Sequence, residues 1–152
     1  MNKEQGIKII RVKDWENLPE DFRTFGGKKL ASDTMAFTNP KTREIYVLED
    51  KPLTEMSIEH EKGHLIKHHP AWNYKPENHV RDEIEAHLYA YQRTGKPKRL
   101  IMEIRALHQD LVQLYKIPFN RTRAIIRRNI MRPNIPQQWK NDFAKLYASR
   151  RF

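Results

Sequence analysis

The sequence predicts an α+β fold, because its strand-like runs all precede residue 50, its helix-like runs all follow it, and no repeat or low-complexity segment interrupts that order. A chain of 152 residues holds one domain with a real core, or one domain plus a small helical extension. With 38% apolar residues and a mean hydropathy of −0.88, that core is modest and a soluble protein is expected. No apolar run approaches the roughly 20 residues of a membrane span. The stretch MNKEQGIKIIRVKDWENLPED has neither an apolar h-region nor a small-residue cleavage site, so a cytoplasmic protein is expected.

GIKIIRV (6–12) is a β-rich run and reads as the first strand. MAFTNPKTREIYVLE reads as a hairpin: two β-prone runs flank Asn39-Pro40-Lys41-Thr42, and Asn-Pro starts turns whereas central strands reject proline. In the second run Ile45, Val47 and Glu49 alternate with Tyr46 and Leu48, so apolar groups lie on both faces and the strand should be well buried or border a cleft. A helix follows, with Thr54 as N-cap and Glu55 in its first turn. It is expected to run to about His68, because the residue before Pro70 is pushed out of the helical region. AWNYKPENH reads as a loop, and a second helix from about Val80 to Arg93 ends at Gly95, a C-cap residue. KRLIMEIRALHQDLVQLYK places Leu100, Ile104, Leu107, Leu111 and Leu114 at helical spacing. NRTRAIIRRNIM and PQQWKNDFAKLY are two further helices bounded by prolines, and Trp139, Phe143 and Leu146 are spaced to dock the last one. Phe-Gly-Gly-Lys-Lys at 25–29 reads as a turn, and Trp15, Phe22, Phe25 and Tyr147 read as packing residues.

Cysteine is absent, so disulfides and thiolate metal sites are excluded and a transition-metal site must be built from histidine and carboxylate. The charge is unevenly divided. Residues 1–92 carry 14 Lys and Arg against 16 Asp and Glu, a balance of −2, whereas residues 93–152 carry 15 against 3, a balance of +12. That asymmetry predicts either an anionic partner for the C-terminal part, most simply nucleic acid, or a solvated basic face.

The chemistry concentrates in SIEHEKGHLIKHHP (57–70), which holds four of the seven histidines. His60-Glu61-Lys62-Gly63-His64 matches HExxH. Residues i and i+4 stand above one another on a helix, so two imidazoles reach one ion, and Glu61 is placed to hold a water and take its proton. A catalytic zinc takes three protein ligands and leaves a fourth position open. The third histidine and the glycine of a metzincin would fall at Pro70 and Lys67, which excludes that class. His68 and His69 read as helix-end residues, favourable near the negative end of the helix dipole, with a role toward substrate or in supporting a ligand as the alternative for either. The next helix, VRDEIEAHLYAYQ, offers Glu83, Glu85 and His87. Glu83 and His87 repeat the i, i+4 relation, while Glu85 points about 160° from Glu83 at 3.6 residues per turn, so both carboxylates cannot face one ion. Glu83 is the preferred third ligand, with His87 on the same side as a hydrogen-bonding partner for a ligand imidazole. Tyr74 and His79, between the two helices, are candidate oxyanion or substrate groups. A third ligand at His79, as in SprT-like proteases, is the alternative.

The stretch from REIYVLE through SIEHEKGHLIKHH to RDEIEAHLYAY resembles the ImmA/IrrE family of metallo-endopeptidases, whose pattern is HExxH, a hydrophobic residue and a histidine, then E-x-E-A-(N/D)-x-(F/Y)-A. Here the second element stands as Glu83-Ile84-Glu85-Ala86-His87-Leu88-Tyr89-Ala90. The chain departs from it at His87, where Asn or Asp is usual, and at QRTGKPK, where the family has LLMP. LVQLYKIPFNRTRAIIRRNI is similar to the family's downstream segment, in which F-x-V-S precedes a helix of helix-turn-helix character. The resemblance implies a zincin-like domain over residues 1–95, in which a short sheet packs on the HExxH helix and a glutamate helix, with a basic all-helical extension over 96–152. It implies Zn2+ held by His60, His64 and Glu83, Glu61 as general base, and a protein substrate of the kind such enzymes cut, DNA-bound repressors in phage and mobile-element regulation.

A second function class rests on the extension. Arg121, Arg123, Arg127, Arg128 and Arg132 lie on or beside one short helix whose Ala124, Ile125, Ile126 and Ile130 are expected to pack inward. Such a basic amphipathic helix predicts a DNA-binding module, alongside a zincin-like part that is either active or only structural.

Overall fold

A strand that is apolar on both faces must be covered on both, and EIYVL (44–48) is the middle strand of a three-stranded sheet. The computed structural model describes residues 6–14, 24–25, 28–29, 36–49, 54–70, 75–95 and 100–152. Its strands are β1 (Lys8–Val12), β2 (Thr24–Phe25), β3 (Lys28–Lys29), β4 (Ala36–Asn39) and β5 (Glu44–Leu48), and its helices α1 (Glu55–Ile66), α2 (Pro76–Thr94), α3 (Ile101–Gln113), α4 (Phe119–Ile130) and α5 (Gln137–Ser149). Strands followed by helices make this an α+β chain. By its internal contacts it divides into two compact units, residues 1–74 with 85–95 and residues 75–84 with 96–152, and the continuous helix α2 belongs in part to each. Among the described residues no helix is long and apolar enough to cross a membrane.

In the first unit β5 pairs in parallel with β1, from Lys8 opposite Glu44 to Val12 opposite Leu48. On its other edge β5 pairs antiparallel with β4, from Ala36 opposite Val47 to Asn39 opposite Glu44. The hairpin turn works through side-chain chemistry: Asn39 Oδ1 accepts from the Lys41 N–H at 3.0 Å, and Arg43 closes the turn with a φ of +58°. Ile45, Tyr46, Val47 and Leu48 are all buried. Ile45 and Val47 form a core with Leu65 of α1, joined by Ile7 and Ala36, and α1 packs against β4. The strand is thus central rather than bordering a cleft. Phe25 pairs with Lys28 across β2 and β3; Gly26 and Gly27, like Trp15 and Phe22, lie outside the described residues.

Helix α1 begins where expected, since the Thr54 hydroxyl accepts from the Ser57 N–H at 3.1 Å. It ends two residues sooner than expected. The His68 N–H bonds to the Leu65 carbonyl at 3.1 Å and the His69 N–H to the His64 carbonyl at 2.9 Å, and His68 adopts the left-handed φ of +58°. These crossed bonds are the Schellman termination, usually made with glycine at the left-handed position. Helix α2 begins at Pro76, four residues before the expected start. Proline suits the first helical position, where its missing N–H costs nothing. The segment holding His79 is therefore helix rather than loop.

In the second unit α3 packs on α4 and α5, and α4 packs on α5. Leu100, Ile104, Leu107 and Leu111 are buried as the spacing requires, but Leu114, just past the end of α3, is 39% exposed. Helix α3 has no side-chain cap of its own; the Leu100 N–H instead donates to the buried Asp142 carboxylate of α5 at 2.8 Å. Trp139, Phe143, Leu146 and Tyr147 dock α5 with little surface left to solvent. In α4 the buried face is Thr122, Ile125, Ile126, Asn129 and Ile130. Ala124, expected inside, is exposed among the arginines, because it falls on the side of the helix opposite the isoleucine pair.

Candidate metal centre

The geometry of the centre starts at a glycine. Gly63 lies between His60 and His64 on α1, and a Cβ built there would stand 3.0 Å from the Ala86 Cα, 3.1 Å from the Ala86 carbonyl oxygen and 3.2 Å from the Tyr89 Cβ of α2. With a hydrogen in that place, the two helix backbones approach closely beside the histidines. His60 and His64, one turn apart, turn their Nε2 atoms toward each other at 3.1 Å, with the rings perpendicular and their centroids 4.7 Å apart. On α2, three residues before Ala86, Glu83 brings a carboxylate oxygen to the same place: His60, His64 and Glu83 each offer one ligand atom, all within 4.8 Å of one another. All three side chains are partly buried. Glu61, the next residue after His60 on α1, is partly buried as well.

Other sequence-predicted residues fall in different places. The His87 ring lies 4.1 Å from that of His60, tilted by 40°, so it flanks a proposed ligand without joining the group of donor atoms. His79 points elsewhere. Its Nε2 is 3.6 Å from an Asp110 carboxylate oxygen, and its ring is 5.7 Å from that of Tyr115, all within the second unit. Among the described residues, Glu83 and not His79 is grouped with His60 and His64. Tyr74 lies outside the described residues. Tyr115 itself is a hydroxyl that stays protonated: burial first, then the negative charges of Asp110, Asp82 and Glu83, push it up to about 12.

The two histidines read as helix-end residues both lie just past the last turn of α1, where His68 is exposed and His69 is buried. His69 is 6% exposed. Its Nδ1 lies 3.0 Å from Nδ1 of His64, and its Nε2 lies 2.8 Å from Oε2 of Glu85. The left-handed turn at His68 is the cause: it folds the residue after it back over the last turn of α1, where that residue meets the side chain five positions earlier. His69, Asp82 and Glu85 form a second group whose potential ligand atoms lie within 4.8 Å of one another. Glu83 and Glu85 thus serve different groups, as their angular separation on α2 requires.

The five arginines of the extension are all exposed. Arg123, Arg127 and Arg128 line a shallow depression of about 590 Å³ with Asn120, Ala124 and Met131. Arg128 also donates to the Glu77 carboxylate at 2.7 Å, an exposed pair within the second unit.

Comparison of the chain with protein-family models, with curated proteins and with solved structures finds no significant match in any of the three.

Proposed function

We propose that this chain is a zinc-dependent endopeptidase of the ImmA/IrrE kind, built on a zincin-like fold and acting on a partner protein such as a DNA-bound regulator. The observation that carries the reading is the convergence of His60, His64 and Glu83 within 4.8 Å. Two imidazoles and one carboxylate, with cysteine absent from the chain, are a donor set suited to a catalytic zinc. Held by His60, His64 and Glu83, zinc would supply Lewis acidity toward a peptide carbonyl and a water nucleophile near neutral pH. Glu61 would accept the proton of the attacking water on its carboxylate and return it to the departing amine, as the residue next to a ligand on the same helix can. His87 flanks His60 and limits the freedom of its ring.

The test is Glu61→Gln. Zinc content, measured on the purified chain, should persist while cleavage of a partner protein stops; undiminished cleavage would sink the mechanism.

A second reading, in which the chain binds DNA and the metal centre is structural, is favoured by the arginine-lined depression on α4. It predicts duplex binding at low salt that falls steeply as salt rises, weakened in an Arg123→Ser, Arg127→Ser double variant. The two readings are compatible, since a basic helix would hold a protease near a DNA-bound substrate.

A further inference from the structure

We infer that Glu85 and His69 form a relay that fixes the tautomer of His64, so that His69 is a positioning residue for the metal centre. The inference rests on the zinc reading above and adds to it two residues beyond the ligands and the base.

The argument is an inventory of protons. An ionised carboxylate only accepts hydrogen bonds, so the 2.8 Å contact between Glu85 Oε2 and His69 Nε2 places a hydrogen on that nitrogen. A neutral imidazole carries one N–H, so His69 Nδ1 is then a bare acceptor. It faces His64 Nδ1 at 3.0 Å, and two bare nitrogens would repel at that distance, so His64 Nδ1 carries the hydrogen. His64 is left with its lone pair on Nε2, the atom turned toward His60 Nε2 at 3.1 Å. One carboxylate thereby orders two imidazoles and leaves the lone pair on the nitrogen that faces the proposed ion. Glu85, His69 and His64 all belong to the first unit, and the relay runs from a buried imidazole to a carboxylate whose side chain is 37% exposed.

The same contacts argue against a second cation on His69, Asp82 and Glu85 alongside the first. A cation on His69 Nε2 would need that nitrogen bare, which moves the hydrogen to His69 Nδ1, strips it from His64 Nδ1 and places it on His64 Nε2. With neutral rings the two sites exclude each other.

Zn2+ affinity of the full chain, measured by competition with a chromophoric chelator, tests the relay. Partners that orient a ligand imidazole typically contribute about 10–100-fold in metal affinity. His69→Ala should lose a factor in that range. His69→Asn, whose Oδ1 stands near the position of Nδ1 and accepts the same bond, should recover most of it, whereas His69→Leu should not. Glu85→Ala, at a partly exposed position, should bind zinc several-fold more weakly and keeps the test valid if a His69 variant fails to fold. Affinity unchanged in Glu85→Ala, or restored by Leu as well as by Asn, would overturn the relay and leave His69 a packing residue. So would a second equivalent of Zn2+ that binds the wild type without displacing the first and is lost in Asp82→Asn. A wild-type chain that takes up no zinc at all overturns the endopeptidase reading itself, a result distinct from tight wild-type binding that is indifferent to Glu85.

Discussion

Gly63 of α1 and Ala86 of α2 stand so close that a Cβ on the glycine would come within 3.0 Å of the alanine Cα. The two nearest atoms are backbone and the third is the Tyr89 Cβ, which no rotamer change moves, so the contact cannot be relieved by side-chain rotation. Gly63→Ala should gain a few tenths of a kcal/mol to about 1 kcal/mol in helix propensity and lose about 1–3 kcal/mol to overpacking. The expected outcome is a net destabilisation together with weaker zinc binding, because α2 carries Glu83. Urea unfolding and chelator competition on the same samples check it; a more stable variant with undiminished zinc affinity would refute the close-packing account.

The left-handed residue that ends α1 is His68, a residue type for which that conformation carries a steric cost. His68→Gly should raise stability by about 0.5–1 kcal/mol, the conformational strain removed exceeding the extra freedom given to the unfolded chain. A thermal melt reads the gain. The zinc affinity of the variant should match the wild type, since His68 itself is exposed. A drop in the melting temperature would mean that the histidine ring has a contact of its own to lose.

The Asp142 carboxylate is the cap that α3 lacks locally, accepting the Leu100 N–H from a position 4% exposed. Asp142→Ala leaves that N–H buried beside an apolar methyl and should cost about 1–3 kcal/mol. Asp142→Asn keeps an acceptor and should cost less. Denaturant midpoints of the two variants, compared with the wild type, decide between a capping role and simple packing, which would order them by volume lost alone.

Burial holds the His108 imidazole below its ordinary pKa, with the Tyr147 hydroxyl 2.8 Å from Nδ1 and the Phe152 ring stacked 4.1 Å away. Between the lowered folded value and the unfolded value of about 6.5, the unfolded chain binds more protons than the folded one, so stability rises with pH across that window. Stability should therefore be unaffected by this group above about pH 7 and decline as the pH falls below about 6.5. Thermal melts of the wild type and His108→Gln between pH 8 and 5 check it. The variant should start lower and fall less steeply; parallel curves would assign the acid sensitivity to other histidines.

How much of this could be read from the chain depends on how local each cause is. That His60 and His64 share one face of a helix, and that Glu83 and Glu85 cannot, follows from helical periodicity, which needs no tertiary information. The hairpin was likewise legible, since Asn39 and Pro40 specify the turn themselves. His69 was not legible, because its placement depends on a left-handed residue at His68, and sequence signals for that conformation rely on glycine or asparagine. The start of α2 is ambiguous in the sequence for the opposite reason: Pro76 breaks a helix from within and begins one at its first position, and Lys-Pro-Glu-Asn fits a loop equally well. Asp142 caps a residue 42 positions away, and such a partner leaves no trace in local composition. The side of α4 on which Ala124 lies is not legible, because alanine is small enough to sit on either face of a helix.

The two ladders on β5 differ in how far along the chain their partners lie. Its antiparallel partner β4 adjoins it through a tight turn, whereas in the parallel ladder Lys8 must find Glu44. A hairpin closes within microseconds, while a parallel pair waits on a long loop and forms late. Helix α1 follows shortly after β5, so the strand that leads into His60 and His64 is expected to gain its second neighbour late in folding. Of the two edge strands, β1, with Ile9 43% exposed, is therefore expected to open before β4, and its amides should exchange with solvent well before those of β4 and β5.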